Sequence, residues 1–289
     1  MVDSVSRAGT LFIVATPIGN LEDITVRALR VLREVLLIAA EDTRRTAQLL
    51  ARYAIQTSMT SLHEHNEEKK TPSLLKHLER GDSVALVSDA GTPTVSDPGA
   101  RLVRAAIDAN VRVEAIPGPS AAIAALVVSG LPITTFSFLG FPPTRAKDRK
   151  TWFARAGSIG GTIVFFESPH RIQTTLKQLK SVVGDCQVAV ARELTKAHEE
   201  LVRGPISVVA DRVASARGEF TVVVEIGRTP NIVAPCLSTC DADMLTEFGL
   251  ITNKMGLRRR EVIKILARKY ARPTNDIYEA IERAKKLAK

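Results

Sequence analysis

The sequence predicts an α/β protein made of two sheet domains followed by a small helical appendage. Three observations carry this. Strand-like apolar runs alternate with amphipathic segments over residues 11–117, the alternation restarts after a proline-bounded helix at 117–132, and residues 254–289 turn helical and basic.

In the first half the candidate strands are LFIVAT (11–16), LLIAA (36–40), SVALVSD (83–89) and RVEAIP (112–117). Near-continuous apolar strands separated by helices imply a parallel sheet covered on both faces. Asn20 with Asp23 is expected to cap a helix whose apolar face is Ile24, Ala28, Leu32 and Val35. Thr71-Pro72 is expected to open another, because Thr suits the cap and Pro the first helical position. Asp97 precedes Pro98, Gly99 and the periodic Leu102, Val103, Ala106 and Ile107, so it is expected to cap a third.

PGPSAAIAALVVSGLP (117–132) reads as a small-residue helix ending at Gly130. After it FSFLGF (136–141), GTIVFFES (161–168), CQVAVARE (186–193) and EFTVVVEIG (219–227) read as the strands of a second sheet. The expected organisation is an N-terminal α/β domain at 1–130, a second at 131–228, a patternless linker at 229–253 and the appendage at 254–289. The appendage reads as two helices broken at Arg272-Pro273. Val262, Ile265, Leu266 and Lys269 share one face of the first; Ile277, Ala280 and Ile281 share one face of the second, after a cap at Asn275 or Asp276.

Composition narrows the classes. With 289 residues and 45% hydrophobic content, the chain is long enough for two ordinary cores. No apolar run approaches the roughly 18 residues that span a bilayer, and the N-terminus lacks the apolar core of a signal peptide, so the expected location is the cytoplasm, off the membrane. Cys186, Cys236 and Cys240 are an odd number with no C-x-x-C pair and read as reduced thiols. The net charge of +9 is concentrated at the end: residues 254–289 hold 12 Lys/Arg against 4 Asp/Glu, while 1–253 are nearly balanced at 28 and 27. A polyanionic partner is expected to meet the protein there.

Several chemistries are excluded by pattern. There is no P-loop G-x-x-x-x-G-K-[ST], no pair of glycines two residues apart for a dinucleotide fingerprint, no H-E-x-x-H and no G-x-S-x-G elbow. His63 and His65 lack a third clustered ligand, and no metal is expected.

What remains is a series of strand-end loops rich in small residues, Pro and Asp: ATPIGN (15–20), AAEDTRRT (39–46), SDAGTPTVSDPG (88–99), PGPSA (117–121), FFESPHR (165–171) and ARELTKAHEE (191–200), with GEFTVVVE (218–225). Together they resemble the cytidine 2′-O-methyltransferase branch of the tetrapyrrole methylase superfamily, which acts on small-subunit ribosomal RNA. The resemblance covers about residues 10–228, and the tail resembles the helical appendage that family often carries. It implies S-adenosylmethionine folded into the cleft between two α/β domains, a homodimer, and catalysis without a metal. Phe166 departs from the family, which more often has Tyr, and this puts one cofactor contact in doubt.

The residues agree with a sulfonium donor, whose positive charge and amino-acid end call for carboxylate and carbonyl oxygens and for close backbone approach. Asp89, Ala90, Gly91 and Thr92 offer such a wall at a strand end, and Ser120 and Ala121 offer helix N-terminal N–H groups to a carboxylate. By resemblance Pro17, Phe166, Ala191, Phe220 and Thr221 complete the cofactor pocket. A ribose hydroxyl gains nucleophilicity by losing its proton, so a base is needed. Glu167 and Glu193 are favoured for it over His198 and Glu199, and the alternative for each is an ion pair at the domain seam. Arg171, Arg192 and Lys196 are candidates to hold RNA phosphate; so is Arg44, which shares a strand end with Glu41 and Asp42. Arg258, Arg259 and Arg260 carry the tail's charge toward the small-subunit rRNA or the 30S subunit. The alternatives are methylation of a precorrin-type tetrapyrrole and a non-catalytic ribosome-assembly factor.

Overall fold

The structure is a computed structural model that describes residues 8–214, 217–227, 247–252, 259–269 and 274–287. Residues 1–228 and 229–289 form two separate compact units.

The first unit holds two five-stranded sheets. In the first sheet β1 (Thr10–Val14), β2 (Leu37–Ala40), β3 (Ser58–Ser61), β4 (Val84–Val87) and β5 (Arg112–Ile116) run in the order β3-β2-β4-β1-β5. All neighbours are parallel, as the apolar runs required. Helices α1 (Val26–Glu34) and α2 (Thr43–Arg52) cover one face, with Ala28, Leu32, Leu49 and Leu50 packed on Ile38, Ala40, Ala85 and Val87. Helices α3 (Glu67–Glu79) and α4 (Ala100–Asp108) cover the other, with Leu74, Leu78, Leu102 and Ala106 on Leu11, Val84 and Leu86.

Three helix starts differ from expectation. Asn20 caps only a single 3-10 turn, accepting from Glu22 N at 3.1 Å, and Thr25 caps α1 by accepting from Ala28 N at 3.1 Å. Helix α3 begins at Glu67, five residues before Pro72, which lies inside it. The turn ahead of it is closed by Asn66, whose side-chain oxygen accepts from His63 N at 2.9 Å, and Glu67 and Glu68 occupy the first turn, where the helix dipole favours negative charge. The Thr71 hydroxyl donates to Glu67 O at 2.8 Å within the helix, so it is not a cap. Asp97 does not cap α4 either: the N-cap is Gly99, in left-handed backbone at φ 118°. The capping oxygen comes from α3. Buried Glu67 accepts from Gly99 N at 3.2 Å and from Arg101 N at 2.7 Å. A side chain at Gly99 would strike Leu86, with a Cβ 2.4 Å from its Cδ2.

The second sheet contains β6 (Phe136–Phe138), β7 (Gly161–Glu167), β8 (Gln187–Arg192), β9 (Glu200–Pro205) and β10 (Phe220–Ile226) in the order β6-β7-β10-β8-β9. Only β6 and β7 are parallel; the remaining pairs are antiparallel. Alternation along the strands sends Ile163, Phe165, Val188, Val190, Val222 and Val224 toward α6 (Ala146–Ile159), α7 (Ile172–Val183) and α8 (Ile206–Arg212). The intervening Val164, Ala189, Ala191 and Val223 meet Ala122, Ala125 and Leu126 of α5 (Ala121–Val128). Small residues on both sides let this helix lie close to the sheet.

The second unit has its own core. Phe248, in a helical turn at 247–252 (α9), packs with Val262, Ile263 and Leu266 of α10 (Arg259–Lys269) and with Ile277, Ala280 and Ile281 of α11 (Thr274–Leu287). The linker expected at 229–253 therefore contains a helical turn; residues 229–246 and 253 of it lie outside the described residues. Ile263, not Ile265, faces the core, and Ile265 is exposed. Asp276 sits in the first turn of α11, which starts at Thr274, while the break at Arg272-Pro273 lies outside the described residues. So do Arg258, Cys236 and Cys240; Cys186 is a half-buried free thiol.

Candidate active site between the two sheets

The loops that leave the first sheet's strands at their C-terminal ends converge on one cavity, the usual place for ligands in parallel α/β sheets. The loop after β1 is pinned to the loop after β4 by a two-way backbone bridge, Thr16 N to Gly91 O at 2.8 Å and Gly91 N to Thr16 O at 3.0 Å. The Thr16 hydroxyl donates to Ser88 O at 3.1 Å, and the Thr92 hydroxyl donates to Pro119 O at 3.2 Å, which ties in the loop before α5. Asp89 accepts from Asp42 N at 3.0 Å, its own N–H donates to Glu41 at 3.2 Å, and its second oxygen lies 3.5 Å from Arg45. Ser120 is the N-cap of α5 in extended backbone, with no hydrogen bond from its side chain to the helix.

The facing wall comes from the second sheet: the end of β7 (Phe166, Glu167, Ser168), the end of β8 (Ala191) and the start of β10 (Phe220, Thr221). Phe166 is wedged between Phe138 and Phe141, with ring centroids 5.0 and 5.4 Å away. The cavity between these walls has a volume of about 350 Å³, within the range of small-molecule sites, ~300–1,000 Å³. Asp89, Ala90, Gly91, Thr92, Ser120, Ala121, Phe166, Ala191, Phe220 and Thr221 all line it, as does Glu167; Pro17 does not, and its neighbour Ile18 takes that place.

Glu41, from the strand end it shares with Asp42 and Arg44, also lines it, and so do side chains that the motifs did not single out for the pocket: Arg45, Val95, Ser96, Asp97, Phe141, Leu194 and Glu219. Three carboxylates, Glu41, Asp89 and Asp97, thus face one guanidinium, Arg45. Burial raises Asp97 to about 6, helped by the Glu41 and Asp89 charges and opposed by a hydrogen bond with Ser88. Burial likewise raises Glu41, against a hydrogen bond from Asp89 N–H. The arrangement suits a small cation with polar ends.

Residues 10–210 match the family of Tetrapyrrole (Corrin/Porphyrin) Methylases. The chain is 42% identical over 272 residues to a protein of Halalkalibacterium halodurans named Ribosomal RNA small subunit methyltransferase I, covering 93% of each. It is 41% identical to the protein of that name from Streptococcus pyogenes, covering 94% of each. This chain belongs to the tetrapyrrole methylase family, in its ribosomal RNA small subunit methyltransferase I branch. A third member, from Thermotoga maritima, is 47% identical over 218 residues that make up 75% of this chain and 98% of that one. Among solved structures, the tetrapyrrole methylase fold is matched by the methyltransferase CobJ, at a TM-score of 0.58 and 19% identity over 78% of this chain and 97% of that chain. It is matched also by uroporphyrin-III C-methyltransferase of Thermus thermophilus complexed with S-adenosyl homocysteine, at a TM-score of 0.55 and 22% identity over 75% and 97%.

In this tetrapyrrole methylase the remaining expected residues are placed as follows. Glu167 is buried with three partners: Arg171 at 2.7 Å, the Thr175 hydroxyl at 2.6 Å and Ser168 N at 2.7 Å. Arg171 also donates to Pro142 O at 3.3 Å. Glu193 lies off the cavity, in left-handed backbone at φ 50°, and accepts from Glu219 N at 2.9 Å and Lys196 Nζ at 3.0 Å. Burial would raise Glu193, yet the Glu219 N–H and Lys196 outweigh it and hold the carboxyl below its usual range. Lys196 bridges Glu193 and Glu219, Arg192 pairs with Glu200 at 3.1 Å, and Arg44 pairs with Asp42 at 2.7 Å from an exposed position. Glu199 accepts from Thr195 N at 2.6 Å, and His198 is exposed. In the second unit Arg259 pairs with Glu282 and lies 5.0 Å over the Tyr278 ring, while Arg260 is exposed. Among the described residues there is no group of three His, Cys, Asp or Glu arranged to hold a metal, and no helix is long and apolar enough to cross a membrane.

Proposed function

We propose that this chain transfers a methyl group from S-adenosylmethionine to the ribose 2′-hydroxyl of a cytidine in 16S ribosomal RNA, as free rRNA or within the 30S subunit, without a metal and in the cytoplasm. The observation that carries this reading is the cavity itself. It joins the SDAGT, PSA and FFES loops around a net negative lining, in a chain alike along most of its length to rRNA methyltransferases. Asp89 and Glu41 favour the sulfonium charge, the N–H groups at Ser120 and Ala121 receive the amino-acid carboxylate, and Phe166, Ala191, Phe220 and Thr221 enclose the remainder. Pro17 shapes the first loop behind Ile18.

Glu167 and Glu193 stand in this reading as residues that hold RNA-facing cations in place. Arg171, Arg192, Lys196 and Arg44, around the second-sheet loops and the α2 start, hold RNA phosphate in this reading, and in the second unit Arg259 and Arg260 do so independently. A homodimer is part of this reading, for which the exposed apolar residues Ile123, Val127 and Val128 of α5, with Ile133 and Phe136 at the β6 edge, offer a candidate face. The test is transfer of tritiated methyl to 16S rRNA, to 30S subunits and to a precorrin, with nuclease mapping of the product. A labelled 2′-O-methylcytidine is expected. Label on the tetrapyrrole, or on a base, would overturn the reading.

A further inference from the structure

The cations expected to meet RNA around the second sheet share their charge with carboxylates: Arg171 with Glu167, Arg192 with Glu200, and Lys196 with Glu193 and Glu219. A second group of cations stands beside the cavity. The segment FPPTRAKDRKTWFAR (141–155) leads from β6 into α6 and holds five Arg/Lys against one Asp, a density hidden in the near balance of residues 1–253 as a whole. Arg145, Lys147 and Lys150 are exposed, and none has an ion-pair partner among the described residues. Helix stability does not account for them, since the dipole disfavours positive charge at the start of a helix.

The buried basic residue of the segment has a different task. Arg149 donates to Gln178 Oε1 of α7 at 2.6 Å, to Thr144 O at 3.0 Å and to Pro143 O at 3.3 Å, while Arg171 donates to Pro142 O at 3.3 Å. Two guanidiniums thus fasten the three residues that follow Phe141. Phe141 itself lines the cavity and packs on Phe166 with ring centroids 5.4 Å apart, yet it is 53% exposed. An exposed aromatic ring on a fastened loop, followed by unpaired cations, combines the stacking platform and charged track that bind single-stranded nucleic acid. Resting on the function proposed above, we infer that residues 141–150 are the docking surface for the RNA strand. Phe141 stacks on an unstacked base beside the acceptor ribose, and Arg145, Lys147 and Lys150 hold the flanking phosphates. Arg149 is a positioning residue that keeps this platform at the cavity.

The experiment is filter binding of the full chain to deproteinised 16S rRNA and to 30S subunits over a salt series, beside calorimetric cofactor binding and methyl transfer by the same preparations. Arg145→Gln, Lys147→Gln and Lys150→Gln combined should weaken 16S rRNA binding at least tenfold near physiological salt, with cofactor Kd within threefold. The slope of log K against log salt should flatten by about 2, at ~0.7 for each single-strand phosphate no longer neutralised. Removing the same charge at the C-terminal ends of α2 and α3, with Arg52→Gln, Lys76→Gln and Arg80→Gln combined, should change neither quantity. Phe141→Ala should weaken RNA binding about tenfold at an unchanged salt slope, and Phe141→Trp should restore it. A parent-like slope in the first triple variant, an equal loss in the second, or a Phe141→Ala affinity equal to the parent's would overturn the assignment. So would a loss confined to 30S subunits, which would make the partner a ribosomal protein, or a Phe141→Ala loss matched in cofactor affinity. A parent chain that binds 16S rRNA through this segment and labels no ribose would instead overturn the function on which the assignment rests.

Discussion

The backbone N–H of Asn20 donates to the Thr195 hydroxyl at 2.9 Å, joining the loop after β1 of the first sheet to the loop after β8 of the second across 175 residues of sequence. Gly19 makes this approach possible, because a Cβ there would lie 2.5 Å from Lys196 Cγ, 2.7 Å from Thr195 Oγ1 and 2.9 Å from Leu194 O. Gly19→Val should therefore wedge the two loops apart and weaken S-adenosylmethionine binding about tenfold, while far-ultraviolet circular dichroism stays native. Thr195→Val, which removes only the hydrogen bond, should cost about 1 kcal/mol. Equal cofactor affinity in Gly19→Val and parent would show that this seam does not shape the cavity.

Asp89→Ala removes the acceptor for Asp42 N and the partner of Arg45, leaving the cation free to face the cofactor site. S-adenosylmethionine binding should fall at least 100-fold in calorimetry. S-adenosylhomocysteine, whose sulfur is uncharged, should lose less. A parallel loss for both ligands would place the effect in loop geometry instead of charge.

Glu67→Ala should destabilise the protein by about 1–3 kcal/mol, since the Gly99 and Arg101 N–H groups lose their acceptor at a buried position. For a unit of this size that is a fall of several degrees in Tm. Glu67→Gln keeps an acceptor oxygen and should lose less than half as much. The comparison is made by thermal scanning; a neutral Glu67→Ala would mean that the loop after β4 holds its shape without α3.

These residues also mark how far the sequence is legible. Buried strands and helices announce themselves through apolar runs, and the strand-end loops through small residues and Pro. The edge strands β3 (SMTS) and β9 (ELVRGP) do not, because half-exposed strands carry polar residues and no clear alternation. Asp97 misleads for a different reason. Asp-Pro-Gly before a helix is a local capping signal, and it is overridden by Glu67, which lies 32 residues away from Gly99 in sequence and reaches it only through the packing of α3 on α4. Glu219 as a partner of Lys196 is similarly invisible, since spacing reveals which charges are near in sequence and not which ones meet across β8 and β10. Glu167, by contrast, meets the near neighbours Ser168, Arg171 and Thr175.

The raised proton affinity of Asp97 makes a signed prediction for stability. Its folded value of about 6 lies above that of an unfolded aspartate, ~3.9. The folded state therefore binds more protons between those values, and this group destabilises the fold as pH rises through 6. Asp97→Asn should raise Tm at pH 7 to 8 by a few degrees, about 1 kcal/mol once solvent screening of a half-buried group is allowed for. The gain should shrink toward pH 4 and vanish below it, once the carboxyl is protonated in both states of the parent. Thermal scans of the two proteins across pH 4–8 check this. A loss of about 1 kcal/mol at pH 7, the value for a missing helix cap, would restore Asp97 to the role its sequence context implies.

The second unit carries most of the net charge, and its separate core around Phe248, Val262, Leu266 and Ile277 makes a clean truncation possible after Arg228. A cut at 253 would instead strand Phe248 without its packing partners. Removing 229–289 should leave cofactor affinity within threefold, in keeping with a Thermotoga maritima relative that is nearly fully matched by three quarters of this chain. Binding to 16S rRNA should weaken about tenfold or more near physiological salt. The slope of log K against log salt should flatten by about 0.7–0.9 for each phosphate that the tail no longer neutralises. Filter binding over a salt series measures both quantities. Identical slopes for the truncated and full chains would show that Arg259, Arg260 and their neighbours meet no phosphate, and that the basic face of the tail is simply solvated.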